Sequence, residues 1–160
     1  MISKIKTGIG FDAHALKKDK KLILGGIEID YDYGLDGHSD ADVLIHSIID
    51  SLAGAGLNTD IGRMFPDSDN SYKNISSRIL LKKTFEMLTE NNVRISNIDA
   101  VIIAQQPKLS SFIDNMRKNI AQDLQMDIGD VSVKATTTEY LGFTGRKEGI
   151  AAISVCTLIL

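Results

Sequence analysis

The order of apolar and polar positions divides the chain into strand and helix signals. Residues Ile5-Lys-Thr-Gly-Ile-Gly-Phe-Asp-Ala-His14 read as a strand in which Gly8 and Gly10 allow another backbone to come close. A charged loop, Lys17-Lys-Asp-Lys-Lys21, follows. Then Leu22-Ile-Leu and Ile27-Glu-Ile flank Gly25-Gly26, a hairpin signature. Val43, Ile45, Ile48, Ile49 and Leu52 make a broad helical stripe, with Ser39 or Asp40 placed to cap its start and Gly54 and Gly56 to end it. Residues 60–70 are polar and carry glycine and proline, which predicts a loop. A second helix is expected over about 75–91, and one long strand or a strand pair over 93–105. A third helix near 110–125 carries Ile113, Met116, Ile120 and Leu124 at helical spacing. Val131-Ser-Val-Lys-Ala and residues 150–160 complete the strands. A hairpin together with crossover units predicts an α+β domain: a mixed four-stranded sheet, helices on one face and a small hairpin. The opposite face would then need a partner, so the pattern also predicts an oligomer.

Length narrows this to one domain, residues 1–160. Net charge is −3, which offers no basic face to nucleic acid, although a small anion needs only local positive charge or a metal. Cys156 is the single cysteine and lies in an apolar run, so it reads as a buried thiol with no disulfide to form. That run, Gly149 to Leu160, falls short of the roughly 18 residues a membrane span needs. The opening residues Met1 to Lys6 hold no secretory apolar core, and a cytoplasmic protein is expected.

Candidate chemistry gathers around three histidines, His14, His38 and His46. Asp12 and His14 alternate along a strand and leave the same face, while His46 sits on the first helix. Two imidazoles and one carboxylate make a zinc shell with a fourth position left open for substrate or water. An isolated Asp-x-His pair is more often a surface feature. Here, however, all the histidines fall among Asp, Gly and Ser rather than in apolar patterns. Asp42 and Asp50, four residues either side of His46, are candidates to orient its ring or reach a substrate hydroxyl. Gly8-Ile-Gly10-Phe-Asp-Ala13 also fits the loose dinucleotide fingerprint, but no helix opens at its second glycine. Lys134-Ala-Thr-Thr-Thr-Glu139 offers hydroxyls for phosphate and a carboxylate for a hard cation, or it is simply a threonine-rich strand.

Five segments in order resemble one family, the cyclodiphosphate synthases of non-mevalonate isoprenoid synthesis. They are Gly10-Phe-Asp-Ala-His14, Gly37-His-Ser-Asp-Ala-Asp-Val-Leu-Ile-His46, Asp60-Ile-Gly-Arg-Met-Phe-Pro-Asp67, Ala104-Gln-Gln-Pro-Lys108 and Ala135-Thr-Thr-Thr-Glu-Tyr-Leu-Gly-Phe-Thr-Gly-Arg146. The resemblance implies an enzyme that turns 4-diphosphocytidyl-2-C-methyl-D-erythritol 2-phosphate into the 2,4-cyclodiphosphate and releases CMP. By position it implies one Zn2+ per subunit on Asp12, His14 and His46, and Mg2+ or Mn2+ held with substrate by Glu139. It makes His38 and Thr137 the groups that stabilise the phosphates in the transition state. Asp60, Ile61, Gly62 and the loop Phe65, Pro66, Asp67, Ser68, Asp69 match the methylerythritol side, and Ser39 matches a substrate-binding position. Ala104, Gln105, Gln106, Pro107, Lys108, Leu109 and Ser110 match the cytosine pocket, and Thr136 and Thr138 flank Thr137 at the phosphates. The family assembles as homotrimers with sites shared between subunits, and Phe11, Phe143 and Arg146 match the lining of a central cavity that can hold an isoprenoid diphosphate. Asn70, where many members have proline, and Gln106 are the slight departures.

Overall fold

The structure is a computed structural model and describes residues 4–160. The reading of the opening residues as lacking a secretory core falls partly on residues 1–3, outside the described residues. Strands β1 (Ile5–Lys18), β2 (Leu22–Leu24), β3 (Ile27–Ile29) and β4 (Tyr33–Leu35) precede helices α1 (Val43–Leu57), α2 (Ile61–Met64) and α3 (Ser77–Glu90). Then come β5 (Arg94–Ile103), α4 (Ile113–Asp123), β6 (Val131–Thr136), α5 (Gly142–Gly145) and β7 (Gly149–Ile159). The main sheet runs β4-β1-β7-β5-β6, and β2 with β3 forms the expected hairpin. Only β5 and β6 pair in parallel; the other neighbours are antiparallel. The α+β class and the mixed sheet stand as expected, with five strands rather than four. The fifth is β4, which pairs with Leu16–Lys18, so the lysine-rich stretch begins inside β1 and not in a loop.

Helix α1 lies directly on β1 and β7, and small residues make this possible. Gly10 pairs across the ladder with Ser154, and Gly8 with Cys156. A Cβ on Gly10 would overlap the carbonyl oxygen of Ser47, and one on Gly8 that of Ser51. The same two oxygens accept the Ser154 hydroxyl at 2.6 Å and the Cys156 thiol at 3.2 Å. Two carbonyls one helical turn apart thus rest on two strand pairs that carry almost no side chain. Cys156 is fully buried, and burial pushes its thiol above the ordinary range, so it is the inert thiol the sequence suggested.

Two helix boundaries differ from expectation. The start of α1 is capped by Asp42, which accepts the Ile45 amide at 3.1 Å, and not by Ser39 or Asp40. Its end is Asn58, in the left-handed region at φ 53°, while Gly54 and Gly56 lie inside the helix. Gly56 is there for packing, because a Cβ would overlap Leu88 of α3. The sheet's other face carries exposed Ile5, Ile9 and Phe11 from β1 and Val155 from β7. Ile9 and Val155 stand directly opposite each other, so these side chains form one apolar surface. Among the described residues, no helix is long and apolar enough to cross a membrane.

If backbone contact holds α1 in place, Gly10→Ala should cost about 3 kcal/mol or more, since the atoms nearest the new Cβ all belong to backbone and not to a movable side chain. Gly54→Ala, where the nearest atom to the new Cβ is 4.0 Å away, should instead stabilise by about 0.5–1 kcal/mol. Chemical denaturation of both variants checks the pair. Equal effects would mean the close approach is not the constraint.

Candidate active site

Asp12 and His14 continue the face of β1 that carries Gly8 and Gly10, and α1 brings His46 over them. Asp12 Oδ2 lies 3.0 Å from His14 Nε2 and 3.0 Å from His46 Nδ1, and the two nitrogens are 3.4 Å apart. The three donor atoms fall within 4.8 Å of one another. His14 donates its Nδ1–H to the Asp36 carbonyl at 2.8 Å, which leaves the Nε2 lone pair facing Asp12. His46 turns Nε2 toward the hydroxyls of Ser39, at 3.0 Å, and Ser77, at 2.8 Å. Lone pairs and a carboxylate oxygen aimed at one point repel unless a proton or cation sits among them, so this donor set fits a divalent ion with nitrogen and oxygen preference. Burial raises the Asp12 carboxyl, but the bonds to His14 and His46 outweigh it and hold the group well below the usual range. The bond to Asp12 likewise raises His14 against its burial.

The triad opens into a cavity of about 200 Å³ lined also by His38, Ser39, Ile61, Gly62, Phe65 and Asp67. His38 Nε2 is buried and has no hydrogen-bond partner among the described residues, which leaves it available to a bound group. Tyr72 and Leu80 line the cavity too. Asp60 caps α2 by accepting the Arg63 amide at 2.9 Å, and Asp69 accepts that of Ser71 at 2.9 Å, which lowers its carboxyl. Asp60, Pro66, Ser68 and Asp69 do not line the cavity, although each is next in sequence to a residue that does or to one of these neighbours. Neither Asp42 nor Asp50 hydrogen-bonds the His46 ring. Asp50 accepts the Ile61 amide at 2.8 Å and so anchors α2, and Asp42 is wholly buried in amide contacts.

A second cavity, about 410 Å³, is lined by Ala104, Gln105, Pro107, Lys108, Leu109 and Ser110 with Thr136 and Thr137, but not by Gln106. Ala135 of β6 and Ile113 and Asp114 of α4 complete it; helical spacing marks Ile113 only as part of an apolar stripe. Thr138, Glu139, Phe143 and Arg146 line neither cavity. Glu139 and Tyr140 both have positive φ, 51° and 65°, a costly backbone held by Thr137 Oγ1 donating to Glu139 at 3.2 Å and the Tyr140 amide donating to Gln105 at 3.1 Å. Arg146 pairs with Glu148 at 2.9 Å. Through the ladder Asp12 stands level with Ala152, Ile102 and Ala135. Asp12 and Ala135 therefore lie level in the sheet, three strand spacings or about 14 Å apart.

A mixed sheet thus carries an acid and two histidines beside one cavity and, beside β6, a second cavity. The chain matches the YgbB family over residues 5–159 and belongs to it. Relatives within that family carry one specific description. The 2-C-methyl-D-erythritol 2,4-cyclodiphosphate synthase of Finegoldia magna is 56% identical over 154 residues, 96% of this chain and 97% of its own length. That of Clostridioides difficile is 51% identical over 156 residues, 98% and 97% of the two chains. Among solved structures, the bifunctional IspDF from Campylobacter jejuni superposes with TM-score 0.94 at 44% identity; it covers 99% of this chain, which spans 43% of that longer one. The Plasmodium falciparum IspF in complex with CDP gives 0.86 at 36% identity over 99% and 98% of the two chains.

Asp42 ties the site to the hairpin. Its carboxylate accepts the amides of Gly25 at 3.0 Å, Gly26 at 2.7 Å and Ile45, yet burial, with the charge of Asp40 adding to it, pushes the group up to about 6. A carboxyl raised in the folded state stabilises fully below its unfolded value and loses that contribution as pH rises through the folded one. Native stability relative to Asp42→Asn should therefore fall by up to about 3 kcal/mol between pH 4 and 7, and thermal melts of both proteins across that range test it. A constant difference would show that Asp42 is ionised throughout.

Proposed function

We propose that this chain converts 4-diphosphocytidyl-2-C-methyl-D-erythritol 2-phosphate to 2-C-methyl-D-erythritol 2,4-cyclodiphosphate with release of CMP, as one domain over residues 1–160. The observation that carries the reading is the convergence of Asp12, His14 and His46 on one point beside His38, in a chain of this family. An oxygen of the 2-phosphate attacks the β-phosphorus, the bond from that phosphorus to the bridging oxygen breaks, and CMP carries that oxygen away. The nucleophile is already an anion, so no strong base is required, and the protein's work is positioning and charge neutralisation. Zn2+ on the triad and Mg2+ or Mn2+ on Glu139 supply the Lewis-acid charge compensation that a chain of net charge −3 lacks.

The chain's own residues divide the rest. His38 and Thr137 meet phosphate oxygens, and His38 has a ring nitrogen free for that contact. Ser39, Ile61, Gly62 and Phe65 to Asp69 receive the methylerythritol end, and Ala104 to Ser110 the cytosine, in line with the CDP held by the Plasmodium falciparum relative. A homotrimer that buries Ile9, Phe11 and Val155 brings one subunit's metal half beside its neighbour's nucleotide half, which accounts for two separate cavities in a single chain. Phe11, Phe143 and Arg146 then surround the axis, where an isoprenoid diphosphate finds apolar walls and a cation. The protein works in the cytoplasm.

Phosphorus NMR of the purified protein with the diphosphocytidyl substrate, Zn2+ and Mg2+ should show CMP and a cyclic diphosphate forming together. CMP with an acyclic phosphate would instead make it a zinc hydrolase, and no turnover by a zinc-loaded trimer would make it a binding module. His46→Ala should lose zinc and more than about a hundredfold in rate while keeping the native assembly. Undiminished activity in a metal-analysed sample would overturn the zinc assignment.

A further inference from the structure

His46 presents Nδ1 to Asp12, so the state of its other nitrogen decides whether that Nδ1 carries a lone pair or a proton. Nε2 faces Ser77 Oγ at 2.8 Å and Ser39 Oγ at 3.0 Å. Hydroxyls both donate and accept, so neither contact alone fixes the ring. The carboxylate of Asp40 removes the ambiguity. One oxygen bonds the Ser77 hydroxyl, and the other accepts the Ser77 amide at 2.8 Å. A carboxylate offers only acceptors, so the Ser77 hydrogen points to Asp40 and an oxygen lone pair is left for His46. Nε2 must then carry the ring hydrogen, and Nδ1 is left bare toward Asp12 and His14.

We propose that Ser77, oriented by Asp40, is the positioning residue that sets the tautomer and ring plane of His46 for metal binding. Ser77 is fully buried and is the first residue of α3. The N-cap of that helix, Ser76, makes no side-chain bond, and Asp40 takes over the capping role from the loop before α1. Asp40 is fixed in turn, its amide donating to the Ile75 carbonyl at 3.2 Å and its carboxylate accepting the Asp42 amide at 3.2 Å. Next to Ser77, Arg78 grips the buried Asp123 of α4 through two bonds of 2.6 and 2.8 Å, which keeps α3 from sliding along the site. One acid 37 residues from Ser77 therefore both caps a helix and orders a ligand.

The inference rests on reading the triad as a metal site, and the experiment separates the two. Zinc affinity is measured by competition with a chromophoric chelator, and Co2+ absorption reports ligand geometry, in the native protein and in Ser77→Ala, Asp40→Asn and Thr84→Ala. Asp40→Asn places an amide donor where only acceptors stood, and it carries the comparison if Ser77→Ala does not fold. Thr84 is the control: it is buried on the same helix, and its hydroxyl bonds the Leu80 carbonyl at 2.9 Å. Zinc should bind about 10- to 100-fold more weakly to Ser77→Ala and Asp40→Asn, with an altered cobalt spectrum, and Thr84→Ala should stay within about threefold of native. Native-like zinc affinity in both site variants, or an equal loss in Thr84→Ala, overturns the positioning role. Failure of the native chain to bind zinc overturns the metal reading, and the positioning role with it.

Discussion

The contact between the backbone of α1 and the β1–β7 ladder constrains the rest of the molecule. A helix separated from a sheet by large side chains can slide and tilt as those side chains change rotamer. Here the Ser47 and Ser51 carbonyls rest on Gly10 and Gly8, and Ser154 and Cys156 bond the same oxygens, so motion along the axis breaks polar bonds and creates overlaps. His46 is the residue immediately before Ser47, and Asp12 is two residues beyond Gly10. The donor atoms of the triad thus inherit the rigidity of this backbone contact, the support a metal site needs.

The segment from Ser39 to Asp42 distributes that rigidity. Asp42 caps α1 and closes the hairpin turn, and Asp40 caps α3. Two acids, two residues apart, bind three separate elements around one site. Their charges are partly offset by backbone amides rather than by lysine or arginine, which leaves the neighbourhood of the triad electronegative and suited to a cation before it meets an anion.

Much of this was legible in the sequence. The glycines of β1 announced a close approach, Gly25-Gly26 announced the hairpin, and apolar spacing located α1, α3 and α4 to within a few residues. Asp12, His14 and His46 could be named because strand alternation and a helix face are local geometry, and the five-segment resemblance supplied what spacing left open. The strand β4 escaped because three residues with a glycine at the centre carry no alternation to count. The cap of α1 was misread because Ser39, Asp40 and Asp42 are equally good by type, and the choice among them is made by the Gly25 and Gly26 amides, distant in sequence. Gly54 and Gly56 resembled a helix end because the reason for Gly56 is Leu88, on another helix. Ser77 gave no signal at all, since its importance lies in what Asp40 does to it.

The place of β7 has a consequence for how the chain is made. This strand lies between β1 and β5, joining a β4-β1 pair to a β5-β6 pair, yet it is synthesised after all the other strands. Until residues 149–159 leave the ribosome, β1 and β5 each present a long unpaired edge, and α1 has only part of its seat. The pairing of Ile5 with Ile159 spans nearly the whole described chain, so the sheet closes late and slowly, and a nascent or truncated chain exposes the surfaces most prone to mispairing.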